Sequence, residues 1–123
     1  NYKNQIGETI MSGITTHVLD TAMGKPGIGI EVLLEIKKGN EWSQLSGGQT
    51  NNDGRVPELI PKGHAIAVGT YRISFKVANY FAAQKRDTFY PSADIVFEVK
   101  DATQHYHVPL LISGFGYSTY RGS

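Results

Sequence analysis

The sequence predicts an all-β domain: a two-sheet antiparallel β-sandwich of about eight strands with one short helix. Three observations predict it. Val, Ile, Thr, Tyr and Phe gather in short runs, several with every-other-residue alternation. Clusters of Gly, Pro, Asn and Asp break these runs about every ten residues. Only residues 78–84, Ala-Asn-Tyr-Phe-Ala-Ala-Gln, read as a helix, about two turns long.

Residues 13–19 form a first strand, and 20–27 a turn rich in Gly and Pro. Residues 28–37 alternate, placing Ile28, Ile30, Val32, Leu34 and Ile36 on one face. Lys38-Gly39-Asn40 turns the chain into a returning strand, 41–50, weakened by glycine near its end. Asn51-Asn-Asp-Gly54 is a tight turn that delivers Arg55, and 57–63 is irregular. In residues 69–77, Tyr71, Ile73, Phe75 and Val77 share one face. Pro91 separates the short helix from a strand over 94–100. Residues 104–113 and 115–120 make a closing hairpin through Ser113-Gly114.

The 123 residues suit one domain, large enough to bury a core without staples. Residues 13–123 are expected to form it, with 1–12 as a flexible arm or added residues. There is no cysteine, which removes disulfide and thiolate chemistry. A net charge of +1 gives no general attraction to nucleic acid. Lys37-Lys38 and Lys85-Arg86 read as solvated turn charges. No apolar run reaches the ~20 residues of a membrane span, and no secretory leader is visible. A cytoplasmic location is expected, with the periplasm or peroxisome left open.

Polar side chains recur inside apolar strands. His17 lies in Ile14-Thr-Thr-His-Val-Leu-Asp20. His105 and His107 share one face of His105-Tyr-His-Val-Pro-Leu-Leu-Ile-Ser113. A lone strand histidine is most often simply hydrogen-bonded, and Arg55 after a turn most often solvated. Three imidazoles also resemble zinc ligands, but no fourth ligand pattern accompanies them. Ser123 has no nucleophile-elbow motif around it. His64 reads as an exposed loop residue. Gly122, between Arg121 and Ser123, suggests a freely bending tail that folds over a ligand.

Two segments carry a specific resemblance: His-Tyr-His-Val-Pro-Leu-Leu and the ending Ser118-Thr-Tyr-Arg-Gly-Ser123. With Asp53-Gly54-Arg55 and Phe89-Tyr-Pro91, they resemble the transthyretin-like family, specifically its branch that hydrolyses 5-hydroxyisourate. The resemblance spans about residues 14–123. It implies two four-stranded sheets and a homotetramer with active sites at subunit interfaces. It implies His17 and His107 as catalytic, and Arg55 and Tyr120 as substrate-binding. Ser118, Ser123 and His105 are expected around the same substrate. No metal, no other cofactor, no nucleic-acid partner and no membrane are implied. The alternative is a transthyretin-type carrier holding a small hydrophobic ligand in the tetramer channel. His17, Arg55, His107 and the Tyr-Arg-Gly-Ser end favour the enzyme. Phe89-Tyr90-Pro91 is expected to pack the short helix against a sheet edge.

Overall fold

The computed structural model describes residues 13–61 and 63–123. The proposed arm, 1–12, lies outside the described residues. Among the described residues, eight strands and one helix follow in order: β1 (Ile14–Asp20), β2 (Lys25–Pro26), β3 (Glu31–Lys38), β4 (Glu41–Gln49), β5 (Gly69–Lys76), α1 (Val77–Ala83), β6 (Ala93–Val99), β7 (Tyr106–Ser113) and β8 (Gly116–Thr119). They form two four-stranded sheets, ordered β2-β1-β7-β8 and β4-β3-β5-β6.

The alternation seen in the sequence is the alternation of burial. In β1, Ile14, Thr16, Val18 and Asp20 are buried, while Thr15, His17 and Leu19 are half-buried on the opposite face. In β5, Tyr71, Ile73 and Phe75 are all but fully buried, with Val77 following at the start of α1. These side chains meet Val18, Val32, Leu34, Leu110 and Ile112 in the core between the sheets. Burying each such side chain contributes about 1.5–3 kcal/mol. Ile28 departs from its expected face: it is 48% exposed, because β3 begins only at Glu31.

One strand pairing differs from the antiparallel expectation. β1 runs parallel to β7, with Thr15 opposite His107 and His17 opposite Pro109. The other strand pairings are antiparallel. The two strands lie about ninety residues apart in sequence, so no hairpin turn dictates their direction. This parallel seam places the two histidine-bearing strands side by side.

Lys85-Arg86 is not a pair of solvated turn charges. The Asp20 carboxylate is fully buried and accepts two hydrogen bonds from Arg86, Nη1 to Oδ2 at 2.8 Å and Nη2 to Oδ1 at 3.2 Å. Tyr80 Oη donates to the same carboxylate at 2.7 Å, and the Met23 N–H at 3.2 Å. Arg86 also lies over the Phe81 ring, 4.9 Å from its centroid. The cluster pins α1 to the end of β1. Phe89 and Tyr90 reach the β7–β8 hairpin at the edge of its sheet. The Phe89 N–H donates to Gly114 O at 2.8 Å, and Tyr90 packs edge-on against Tyr117 at 5.3 Å. Pro91 O, accepting from Ala78 N–H at 3.1 Å, ties this motif to the helix.

Candidate active site

The site is built on the outer face of the β2-β1-β7-β8 sheet, away from the core. Residues opposed in neighbouring strands project from the same face. Thr15 and His107 are opposed, so their side chains meet; His17 lies one same-face step further along β1.

The turn after β4 brings the arginine. Asn51 Oδ1 accepts from the backbone N–H groups of Asp53 and Arg55, at 2.9 and 3.1 Å, and so shapes the loop. Gly54 has φ +78° and packs directly on the Val18 carbonyl, so a side chain there fails on both counts. The Val18 N–H donates to Gly54 O at 2.8 Å, and His17 and Arg55 form an antiparallel bridge. Arg55 therefore emerges on the face that carries His17, with its side chain open to solvent.

His107 is half-buried. Its Nδ1 lies 2.8 Å from Thr15 Oγ1, and the same oxygen lies 2.9 Å from His105 Nε2. The two imidazoles are nearly parallel, with centroids 6.3 Å apart and planes inclined by 22°. Burial depresses the His107 pKa below its ordinary 6.5, and the neighbouring Arg55, His105 and His17 push it the same way. The hydrogen bond with Thr15 pulls the other way but is outweighed, so the net effect favours the neutral imidazole. Since Nδ1 is engaged by Thr15, Nε2 is the nitrogen left to face a substrate.

The tail closes over this group. Gly122 N–H donates to His107 O at 2.8 Å, forming a second isolated bridge. A Cβ on Gly122 would stand 2.5 Å from His107 Cδ2. The glycine thus permits close packing, and its φ is not positive. This corrects the picture of a freely bending tail. Arg121 anchors it from the other side: Nη2 donates to Gln104 Oε1 at 3.0 Å and His105 O at 3.2 Å, and the guanidinium covers the Tyr106 ring at 4.4 Å.

His17, Arg55, His105 and His107 therefore come together, and Ser123 follows the glycine that touches His107. Ser118 pairs with Leu111, on the same face but further along β7. Tyr120, 59% exposed, follows the end of β8 and stands beside the tail. His64 is exposed and lines a separate cleft of about 440 Å³ with Ile36, Ile60 and Tyr71. That cleft contains none of the four converging groups. Within one chain the histidines of this face are only half-buried. Thr15 was missed from the sequence, where a strand threonine reads as a β-former. Its position two residues before His17, on the same face, was the available signal.

Residues 14–122 match the HIUase/Transthyretin family. The chain is 50% identical over 110 residues to the 5-hydroxyisourate hydrolase of Salmonella dublin, covering 89% of this chain and 80% of that one. The structure of Klebsiella pneumoniae 5-hydroxyisourate hydrolase superimposes with a TM-score of 0.79 at 31% identity, over 91% of this chain and all of that chain. Sea bream transthyretin in complex with thyroxine superimposes with a TM-score of 0.84 at 26% identity, over 90% of this chain and 95% of that chain. The fold is thus shared with a thyroxine-bound transthyretin, while sequence identity is higher to the hydrolases.

Proposed function

The chain belongs to the HIUase/transthyretin family, and we propose that it hydrolyses 5-hydroxyisourate in urate degradation. The product is 2-oxo-4-hydroxy-4-carboxy-5-ureidoimidazoline. The observation that carries the reading is the convergence of His107, His17 and Arg55 on one face of the sheet, where burial also favours the neutral form of His107. A hydrophobic carrier has no use for that set on its ligand face.

The chemistry follows from the groups. Water attacks the ring carbonyl; its proton passes to His107 Nε2, a base suited to pH 7. The Arg55 guanidinium donates to the carbonyl oxygen as negative charge gathers there. The ring C–N bond then breaks, and the departing nitrogen takes up a proton. His17 flanks the attacking water. Tyr120, Ser118, Ser123 and His105 border the flat ring. The residues complete this proton cycle without a cofactor.

The functional unit in this reading is a homotetramer with active sites at subunit interfaces. Two features support it. The histidines are only half-buried in one chain, and β6 and β8 are open sheet edges. Near those edges, Phe89, Val96, Phe115 and Tyr117 are exposed. The test is an ultraviolet time course. Hydroxyisourate is generated with urate oxidase, the protein is added, and the decay is followed. Accelerated decay is expected; decay at the spontaneous rate would sink the reading. Light scattering on the same sample is expected to give four times the chain mass.

A further inference from the structure

The Thr15 hydroxyl is held between two imidazoles and carries one hydrogen. It lies 2.9 Å from His105 Nε2 and 2.8 Å from His107 Nδ1. It can donate to only one of these nitrogens. The other contact is a hydrogen bond only if that nitrogen brings a hydrogen of its own. The protonation patterns of the two rings are therefore not independent.

We propose that Thr15 is a positioning residue that ties the tautomers of His105 and His107 together, so that a base-ready His107 Nε2 goes with an accepting His105 Nε2. In this state His107 Nδ1–H donates to Thr15 Oγ1, and Thr15 Oγ1–H donates to His105 Nε2. Both rings are neutral, each with its hydrogen on Nδ1. The opposite state puts the hydrogen of His107 on Nε2, where it cannot accept a proton from water.

Three features hold the two rings in this linkage. Thr15 is opposed to His107 across the parallel seam, so backbone register fixes the contact. Gly122 packs against the His107 ring and holds its plane. Arg55 and His17, the other ionisable groups acting on His107, favour the uncharged ring, as does His105. The linkage also offers a route for the proton. As water gives its proton to His107 Nε2, the Nδ1 hydrogen moves to Thr15 Oγ1 and the Thr15 hydrogen moves to His105 Nε2. The hydroxyl is restored, and the added proton rests on His105. Atoms and charge balance, and His107 stays neutral. Arg121 donates to the His105 carbonyl and so steadies the segment at the far end of this path.

The proposal rests on the hydrolase reading, but its first test needs no substrate. Nitrogen-15 NMR of histidine-labelled protein above pH 7 reports which ring nitrogen carries the hydrogen. The expected result is Nδ1–H for both His105 and His107. Finding His107 as the Nε2–H tautomer would overturn the proposal. Thr15→Val keeps the shape and removes the hydroxyl. It is expected to give mixed tautomers at His107 and to lower kcat about tenfold to a hundredfold, with KM nearly unchanged. An unchanged tautomer and unchanged kcat would overturn it. Thr15→Ser restores the hydroxyl and is expected to recover both signals. Should Thr15→Val not fold, Thr15→Ser decides: loss of the wild-type tautomers there contradicts the linkage. Expected tautomers in a protein that does not accelerate hydroxyisourate decay would uphold the linkage and overturn the functional reading.

Discussion

Strand β1 carries two polar clusters, one at each end and one on each face, and they handle charge in opposite ways. Asp20, at the inner end, is fully buried. Burial pushes its carboxyl pKa up, but hydrogen bonds from Arg86, Tyr80 and Met23 outweigh that and hold it below the usual value. Every charge there has a partner. Thr15 and His17, on the outer face, stand with His105, His107 and Arg55. Here burial, the Arg55 cation and the two neighbouring imidazoles act together, and only a hydrogen bond with Thr15 opposes them. A neutralised pair stabilises a fold. An unanswered set keeps an imidazole free to take a proton. The two kinds of polar site are separated by a few residues of one strand.

The comparison breaks most visibly at Asp20. Asp20→Asn leaves Arg86 without its anion and is expected to cost about 3 kcal/mol of stability. Denaturant unfolding measures this loss. Turnover of the folded fraction is expected to stay near wild type, since Asp20 lies on the core side of the sheet. The sign with pH follows from the lowered pKa. The Asp20 contribution is present above the unfolded carboxylate value of about 4. It is lost as pH falls through the lower folded value. The wild-type protein therefore loses this stability in acid, and Asp20→Asn, which lacks it throughout, shows a flatter profile there.

The converse holds at the imidazoles. His107→Asn and His17→Asn are expected to lower turnover about a hundredfold or more. Denaturation midpoints are expected to move little, because neither side chain belongs to the core. A folded His107→Asn variant with near-normal rates would remove it from the chemistry. The wild-type pH profile sharpens the same point. In the proposed mechanism the neutral form is the active one, and burial lowers the His107 pKa from its ordinary value of 6.5. The midpoint of the acid fall in rate is therefore expected below pH 6.5. Arg55→Lys preserves charge but not the planar pair of donors. It is expected to lower kcat/KM about thirtyfold, near 2 kcal/mol. Full efficiency in this variant would mean that Arg55 supplies only a general positive charge.

The sequence exposed these clusters unequally, for physical reasons. Local alternation announced β5 and the Val32 and Leu34 face of β3, because a period of two is written in neighbouring residues. The turn at Asp53-Gly54-Arg55 was legible for the same reason. The parallel seam was not: pairing of Thr15 with His107 is decided by packing across the whole chain. Asp20 looked like the opening of a turn, and Arg86 like a solvated charge, because their partnership spans 66 positions. Thr15 fell between the two cases. Its place on the His17 face was visible, but its hydroxyl gains meaning only when β7 arrives beside it. The resemblance named His17, His107 and Arg55, and the structure supplies what surrounds them.

The tail glycine offers the smallest and most local test. Gly122 looked like a flexible joint, yet it contacts the His107 ring and donates to the His107 carbonyl. The two views predict different outcomes for Gly122→Ala. A flexible joint that is slightly stiffened changes KM, through the tail's ability to close. A packed glycine instead transmits its new methyl group to the imidazole. At 2.5 Å from Cδ2, the added Cβ must displace either the ring or the tail. Misplacing a catalytic group by a fraction of an ångström is expected to lower kcat about tenfold. Arg121 keeps its stacking on Tyr106, so stability is expected to change by under about 1 kcal/mol. The ultraviolet assay separates the cases at saturating and limiting hydroxyisourate. A loss confined to KM would return Gly122 to the role of a hinge. A loss in kcat with KM held would place it among the residues that set the angle of His107.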